Sequence, residues 1–182
     1  MVFITKMNET QLIEGCRRNN RTAQKELYER YSRRMMGVCL RYVGDRETAR
    51  DILQEGFVRI FTNIGSYSGS GSFEGWMQKI FVNSALEYLR KHDVLRDSVE
   101  IDYSSEQDIQ SDASPLAALS AEELMKIINE LPAGFRTVFN LFAIEGYSHK
   151  EIGEMLGITE STSRSQYSRA KHILQQKVKD LY

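Results

Sequence analysis

The stretch "SHKEIGEMLGITESTSRSQYSRAKHIL", residues 148–174, decides the fold of the C-terminal third of the chain. Ser148 and Glu151 have the spacing of a capping box, which predicts that a helix begins here. Gly153 is small enough to let a second helix approach, Gly157 suits the turn, and Thr159 can cap the next helix. This order predicts a helix-turn-helix motif. The alternative is a helical hairpin whose two helices only pack together and do not bind DNA.

The second helix of this motif has one apolar face and one polar face. The inward positions are apolar: Tyr167, Ala170, Ile173, Leu174 and Val178. The outward positions carry hydroxyls, arginines and a histidine: Ser161, Arg164, Ser165, Ser168, Arg169 and His172. Arginine can bind guanine with two hydrogen bonds in a major groove, and serine can approach a base or phosphate closely. The pattern therefore predicts a helix that binds duplex DNA.

Upstream of this motif, the chain divides into two helical parts and a linker. A helix begins at Ser120, Pro132 interrupts it, and the segment "FRTVFNLFAIEGY" follows. Residues 97–119 contain six acidic and no basic residues and lack helical periodicity, which predicts a linker. It is either a solvated tether or an acidic segment that covers a basic surface. We expect an all-α protein with domains at 1–96 and 120–182.

The N-terminal part is predicted to contain four helices, of which the third is the clearest. It opens at Asp45, a good N-cap residue, and extends to about Ile64. Its core face repeats at three- and four-residue steps: Ala49, Ile52, Leu53, Gly56, Phe57, Ile60, Phe61 and Ile64. The carboxylates of Asp51 and Glu55 lie on the opposite side without a third ligand at a suitable spacing. A docking face or a solvated face is therefore favoured over a metal or acid-base site.

The next helix, "SFEGWMQKIFVNSALEYLRKH" at residues 72–92, carries the single tryptophan of the chain on its polar side. Trp76 is followed by Lys79, Asn83 and Arg90 on that side, and the loop "GSYSGSGSF" precedes it with Tyr67 and Phe73. Aromatic faces, small residues and cations together are typical of sites that hold unstacked bases. The alternative is that Trp76 packs under the loop.

Composition limits the remaining classes of protein. The chain has 182 residues, two cysteines and a net charge of −1, while residues 1–96 carry 16 basic and 11 acidic side chains. The cysteines have no ligand spacing, so we expect no metal, cofactor or disulfide framework. No apolar run reaches about 20 residues, and the start "MVFITKMNET" does not resemble a signal peptide. We expect a cytoplasmic protein that does not insert into a membrane.

Five segments together resemble the extracytoplasmic-function group of RNA polymerase sigma factors, in the sigma-70 family, over nearly the whole chain. They are "LYERYSRRM", "ARDILQEGFVRIF", "FEGWMQKIFVNSALEYLRK", "LPAGFRTVFNLFAIEGYSHKEIGEMLGIT" and "STSRSQYSRAK". The resemblance implies a region 2-like bundle and a region 4-like helix-turn-helix domain. Ser163 departs from the family pattern, in which valine is common, so the packing of that helix can differ.

The resemblance also implies site residues. Those implied to bind polymerase are Asp51, Gln54, Glu55 and Phe57. Those implied to bind and melt the minus-ten element are Gly69, Ser70, Ser72, Phe73, Trp76, Lys79, Asn83 and Arg90. Those implied to bind the minus-thirty-five element are His149, Lys150, Ser161, Arg164, Ser165, Ser168, Arg169 and Lys171.

The function implied is a non-enzymatic one: binding core RNA polymerase, directing it to promoters and promoting DNA melting. The implied partners are core polymerase, promoter DNA as duplex and as melted strand, and an anti-sigma factor. A stand-alone helix-turn-helix repressor or activator is the alternative, and it would bind its operator without polymerase. A nuclease that uses Asp51 and Glu55 would need a divalent metal.

Overall fold

A computed structural model describes residues 6–92, 94–95 and 120–181. These residues form helices, turns and short connections, and none of them lies in a β-strand, which confirms the all-α prediction. The chain forms two compact units, residues 1–40 with 45–85 and residues 41–44 with 86–182. The predicted acidic linker at 97–119 lies outside the described residues, so the domain limits drawn around it stay a prediction.

Four helices and one short turn make up the N-terminal part: α1 (Glu9–Arg17), α2 (Arg21–Val43), α3 (Arg46–Asn63), a 3₁₀ turn (Ile64–Ser66) and α4 (Phe73–Lys91). Side chains cap the starts of all four helices, among them Asn20 at α2 and Ser72 at α4. Asn8 and Gln11 form a capping box at α1, and the Asp45 carboxylate accepts a hydrogen bond from the Thr48 backbone at α3. The predicted N-cap at Asp45 is confirmed.

The core of the first unit is built from the apolar faces of α1 to α4. On α3, the predicted inward residues Ala49, Ile52, Leu53, Phe57 and Ile60 are all buried. Gly56 lies among them because α4 approaches closely: a Cβ atom at Gly56 would lie 2.2 Å from Cε1 of Phe81. The aromatic ring of Phe81 therefore occupies the space that any larger residue at position 56 would need.

We predict that Gly56→Ala destabilises the protein by about 1 to 3 kcal/mol, because the ring must shift within a packed core. Gly37→Ala is the matched control, since it also lies inside a helix but an added Cβ there meets nothing within 4 Å. Helix propensity should make the control more stable by up to about 1 kcal/mol. Chemical denaturation followed by circular dichroism measures both, and equal stability of the two variants would contradict the prediction.

The second unit contains α5 (Ala121–Asn129), α6 (Ala133–Phe139), a π-helical segment (Asn140–Ile144), α7 (His149–Leu156) and α8 (Glu160–Leu181). Ser120 and Glu123 form a capping box at the start of α5. The buried Arg136 guanidinium donates to the carbonyl oxygens of Asn129 at 2.8 Å and Leu131 at 3.4 Å. It thereby satisfies backbone groups at the end of α5 that would otherwise lack partners.

A single apolar cluster joins α5, α6 and α8: Ile127, Ile128, Leu131, Phe135, Phe139, Ala170, Leu174 and Val178. The predicted inward face of α8 is thus confirmed. Among the described residues, no helix is both long enough and apolar enough to cross a bilayer.

The predicted helix-turn-helix motif is formed by α7 and α8. Ser148 and Glu151 make the capping box, and Gly157 ends α7 in the left-handed region at φ 69°. A Cβ on Gly153 would lie 2.8 Å from the Ile158 carbonyl oxygen, so this position requires glycine for close approach. The Thr159 hydroxyl accepts a hydrogen bond from the Thr162 backbone at 3.0 Å and caps α8.

Candidate nucleic-acid interface

Three aromatic rings meet where the glycine-serine loop joins α4. Phe73 and Trp76 stack at 5.6 Å between ring centroids with 16° between their planes, and Tyr67 lies 5.5 Å from Trp76. Phe73 is 1% exposed, whereas Trp76 is half-buried. One part of the tryptophan therefore packs on the cluster while another part remains accessible to solvent.

Hydrogen bonds hold the loop that precedes this cluster. The Tyr67 hydroxyl donates to the Gly71 carbonyl at 2.8 Å, and the Arg17 guanidinium donates to the Tyr67 carbonyl at 2.6 Å. Gly69 and Gly71 both have a positive φ, which only glycine adopts readily. Residues 68–72 of this loop, which include Ser70 and Ser72, are exposed.

The polar side of α4 continues from the aromatic cluster. Lys79, Asn83 and Arg90 are exposed. Asn83 follows Lys79 by four residues and Arg90 follows Asn83 by seven, so all three side chains lie on one side of the helix. Phe73 differs from its prediction. Its ring lies in the core against Tyr31 and Tyr67, so we revise its role from DNA contact to support of Trp76.

The outer face of α3 presents polar and apolar groups together. Asp51, Gln54 and Glu55 are exposed as predicted, and Val58 beside them is 64% exposed. Glu55 forms an ion pair with Arg59 one turn later. A single exposed valine is ordinary on a protein surface and does not distinguish a docking face from a solvated one.

Phe57, which was also predicted to bind polymerase, is 3% exposed. Its ring centroid lies 4.7 Å from that of Tyr28 and 5.3 Å from that of Phe81. The Phe57 ring therefore packs in the core and is not placed for direct contact with a partner.

No group of three or more His, Cys, Asp or Glu side chains in the described part of the chain could hold a metal ion. Cys16 and Cys39 are buried, and burial raises the pKa of the Cys16 thiol to about 11. The Cys16 thiolate, the form that binds metals and attacks electrophiles, is therefore scarce at neutral pH.

Most residues predicted to contact duplex DNA lie on the outer side of α7 and α8. Lys150, Ser161, Arg164, Ser165 and Ser168 are exposed, and Arg169 and Lys171 are half-buried. The side chain of Arg164 is 64% exposed and forms an ion pair with Glu160 one turn earlier. To bind a base or a phosphate of DNA, the Arg164 guanidinium would have to release the Glu160 carboxylate.

His149 is the exception among these residues, because it is only 7% exposed. Its ring stacks on Phe142 at 4.2 Å with 9° between the planes, and Nδ1 lies 2.9 Å from the hydroxyl oxygen of Ser163. Burial lowers the pKa of His149, and the Arg164 guanidinium lowers it further, while the Glu160 carboxylate opposes them. We revise its role from DNA contact to contact between α7 and α8.

Comparisons with known proteins agree on one family for both parts of the chain. Residues 27–94 match the model of sigma-70 region 2, and residues 121–174 match that of sigma-70 region 4. The chain is 25% identical to the RNA polymerase sigma-H factor of Pseudomonas aeruginosa, with 98% of each chain covered. It is 27% identical to the ECF RNA polymerase sigma-E factor of Haemophilus influenzae, covering 97% of this chain and 98% of that one.

A solved structure has a similar fold. It is the sigma factor RpoE of Bartonella quintana, which was solved in complex with the anti-sigma factor NepR. The TM-score is 0.50 at 21% identity, and the match covers 85% of this chain and 96% of that one. This likeness supports the helical fold.

Proposed function

This chain belongs to the sigma-70 family of RNA polymerase sigma factors, in its extracytoplasmic-function group, and from that premise we propose how its surfaces act. It binds core RNA polymerase, directs it to specific promoters and promotes melting of the DNA. One observation carries the mechanism: a single chain presents an accessible tryptophan beside a glycine loop and, separately, a basic helix-turn-helix surface. Such a chain can bind single-stranded and duplex DNA.

Melting is promoted by affinity for the open strand. Trp76 stacks on an unpaired base of the minus-ten element, the loop at Gly69, Ser70 and Ser72 lets the strand approach, and Lys79 and Arg90 lie near its phosphates. Flipping a base costs a few kcal/mol, and stacking contributes about 1 to 3 kcal/mol per base. One or two captured bases therefore roughly offset the cost of opening, which shifts the promoter toward its open state.

Duplex recognition is assigned to the outer side of α8. Arg164, Ser165 and Arg169 reach base edges of the minus-thirty-five element in the major groove, and Ser161 and Ser168 flank them. Lys150 and Lys171 contact phosphates. Phosphate contacts set position and affinity, whereas base contacts set sequence preference.

We predict that Arg164→Ala weakens promoter binding by about 1 to 3 kcal/mol, the range for one good bidentate contact with guanine, and relaxes the preference at one base pair. Lys150→Ala is the matched control. It should weaken binding equally for all sequences and reduce the slope of log K against log salt by about 1. Binding of the holoenzyme to promoter variants across a salt series separates the two effects. Unaltered base preference after Arg164→Ala would contradict its role in sequence recognition.

The polymerase contact is assigned to the outer face of α3, with Asp51, Gln54, Glu55 and Val58.

An anti-sigma factor is inferred as a further partner, because the resemblance to the extracytoplasmic-function group implies one. The work of the protein is done by binding, without catalysis. Since core polymerase and promoter DNA are its partners, we place it in the cytoplasm.

The test is an in vitro transcription assay paired with a gel shift. The protein is incubated with labelled genomic promoter fragments, with and without bacterial core polymerase. We expect specific initiation that needs both components. Tight specific binding without polymerase, together with no initiation, would instead indicate a stand-alone repressor. Cleavage of the fragments in magnesium would indicate a nuclease.

A further inference from the structure

We propose that the buried hydrogen bond between His149 and Ser163 is a positioning pair, which fixes how α8 sits on α7 and thereby sets the base preference of the helix-turn-helix motif. The inference rests on the proposed function, because it concerns the helix assigned to duplex recognition. Neither side chain touches DNA in this scheme. Both act through Arg164 and Ser165, which follow Ser163 directly on the exposed side of α8.

The geometry makes the pair a link between two helices. His149 is the first residue of α7, and Ser163 lies in the first turn of α8. The 2.9 Å contact between Nδ1 and the hydroxyl oxygen spans 14 residues of sequence. A buried polar pair can be made in only one relative placement of the two helices, because a shift leaves both groups without a partner.

Aromatic rings fix the histidine in this placement. Phe142, from the π-helical segment, stacks on one face of the His149 ring, and Tyr167 of α8 lies 5.7 Å away at 59°. The same Tyr167 ring lies 4.5 Å from Phe142. The imidazole is therefore enclosed by groups from two other elements, and Nδ1 is held toward Ser163, which is fully buried.

A purely apolar contact would fix the helices less specifically. Val or Ala at position 163 packs against a ring over a range of small rotations, whereas a hydrogen bond weakens steeply as its angle changes. A rotation of α8 moves the exposed side chains most, because they lie farthest from the helix axis. Base preference is thus more sensitive to this bond than overall affinity is.

The test uses the full-length protein with core polymerase and a promoter fragment selected by the wild type, with single base substitutions in the upstream element. Ser163→Ala leaves Nδ1 unpaired, His149→Phe keeps the stacked ring without Nδ1, and the double variant removes both polar groups. We expect each single variant to lose about tenfold in affinity for the best promoter. Its discrimination between base variants should fall as well.

The double variant keeps the test decisive even if a single variant fails to fold. It buries no unpaired polar group, so its thermal stability should lie close to that of the wild type. We expect it to bind promoter DNA but with altered or relaxed base preference. Wild-type preference in the double variant would overturn the proposal. A wild type that fails to initiate with core polymerase would instead overturn the proposed function.

A pH profile gives a readout that packing alone would not change. Charged groups that act on the ring are Arg164 and Glu160 of α8; Tyr167 of α8 packs beside it, and Lys150 and Glu151 follow it on α7. Because the fold disfavours the protonated ring, protons bind the unfolded chain more readily, and the fold is weakened as pH falls below about 6.5.

We therefore expect base discrimination by the wild type to decrease only when the pH falls below the lowered pKa of the folded His149 ring, which lies under the ordinary value of about 6.5. His149→Phe should remove this dependence. His92→Phe is the matched control, since His92 is exposed at the end of α4, and it should keep the wild-type profile. Identical profiles for the wild type and His149→Phe would count against the positioning role.

Discussion

Trp76→Ala is expected to bind core RNA polymerase like the wild type and to form open promoter complexes between about fivefold and a hundredfold less well. The range follows from the loss of one stacked base at about 1 to 3 kcal/mol. The accessible part of the Trp76 ring supplies that stacking face. Binding of polymerase should be unaffected, because the proposed docking face lies on α3.

Permanganate reactivity of unpaired thymines measures the open complex, and retention on immobilised core polymerase measures docking. Trp76→Tyr is the matched variant, since it keeps an aromatic face on the Phe73 ring and should retain part of the activity. Trp76 also stacks within the protein, so alanine will lower stability to some extent, and a melting curve controls for this. Full open-complex formation by a folded Trp76→Ala protein would return the residue to a packing role.

The starts, ends and close contacts of helices could be predicted from the sequence because they depend on local chemistry. Asp45 caps α3, Ser148 and Glu151 cap α7, and Gly157 adopts the left-handed conformation at its end. At the helix starts a side chain accepts hydrogen bonds from backbone N–H groups that have no partner within the helix. At the end of α7 the missing Cβ of glycine permits the left-handed conformation. The helix-turn-helix motif followed from these signals together with its spacing.

The depth of individual side chains could not be predicted in the same way. A helical wheel gives the direction of a residue, but burial depends on what other elements bring to that side. Phe73 and His149 were expected at DNA-binding surfaces, and neighbouring aromatic rings bury both. The spacing of sequence signals cannot show such contacts, because the partners lie on different helices.

The hydrogen bond of Ser163 illustrates the same limit. The sequence shows only that serine stands where valine is common in the family, and a lone hydroxyl at an inward position has no visible partner. The fold brings His149 to it from another helix. A buried Ser and a buried His at the facing positions of a helix-turn-helix are the signal by which such a pair could be found.

Reversing two charges on α3 should have the second large effect. Asp51→Lys combined with Glu55→Lys is expected to weaken binding to core polymerase by about 2 to 5 kcal/mol, the range for breaking charge pairs within an interface. Both carboxylates are exposed, and Glu55 forms only a surface ion pair with Arg59, which contributes little to folding. The fold should therefore tolerate the change.

Glu29→Lys is the matched control for the Glu55→Lys change alone. Both glutamates lie on exposed helix faces with similar exposure, 62% for Glu29 and 57% for Glu55, and each pairs with a cation one turn away. The two single variants alter net charge equally, so a long-range effect of charge would weaken both. A docking face on α3 predicts that only Glu55→Lys and the double reversal lose affinity, most strongly at low salt, where interfacial charges are least screened. Equal affinity for core polymerase in all of these variants would make the carboxylates of α3 a solvated surface and place the polymerase contact elsewhere on the chain.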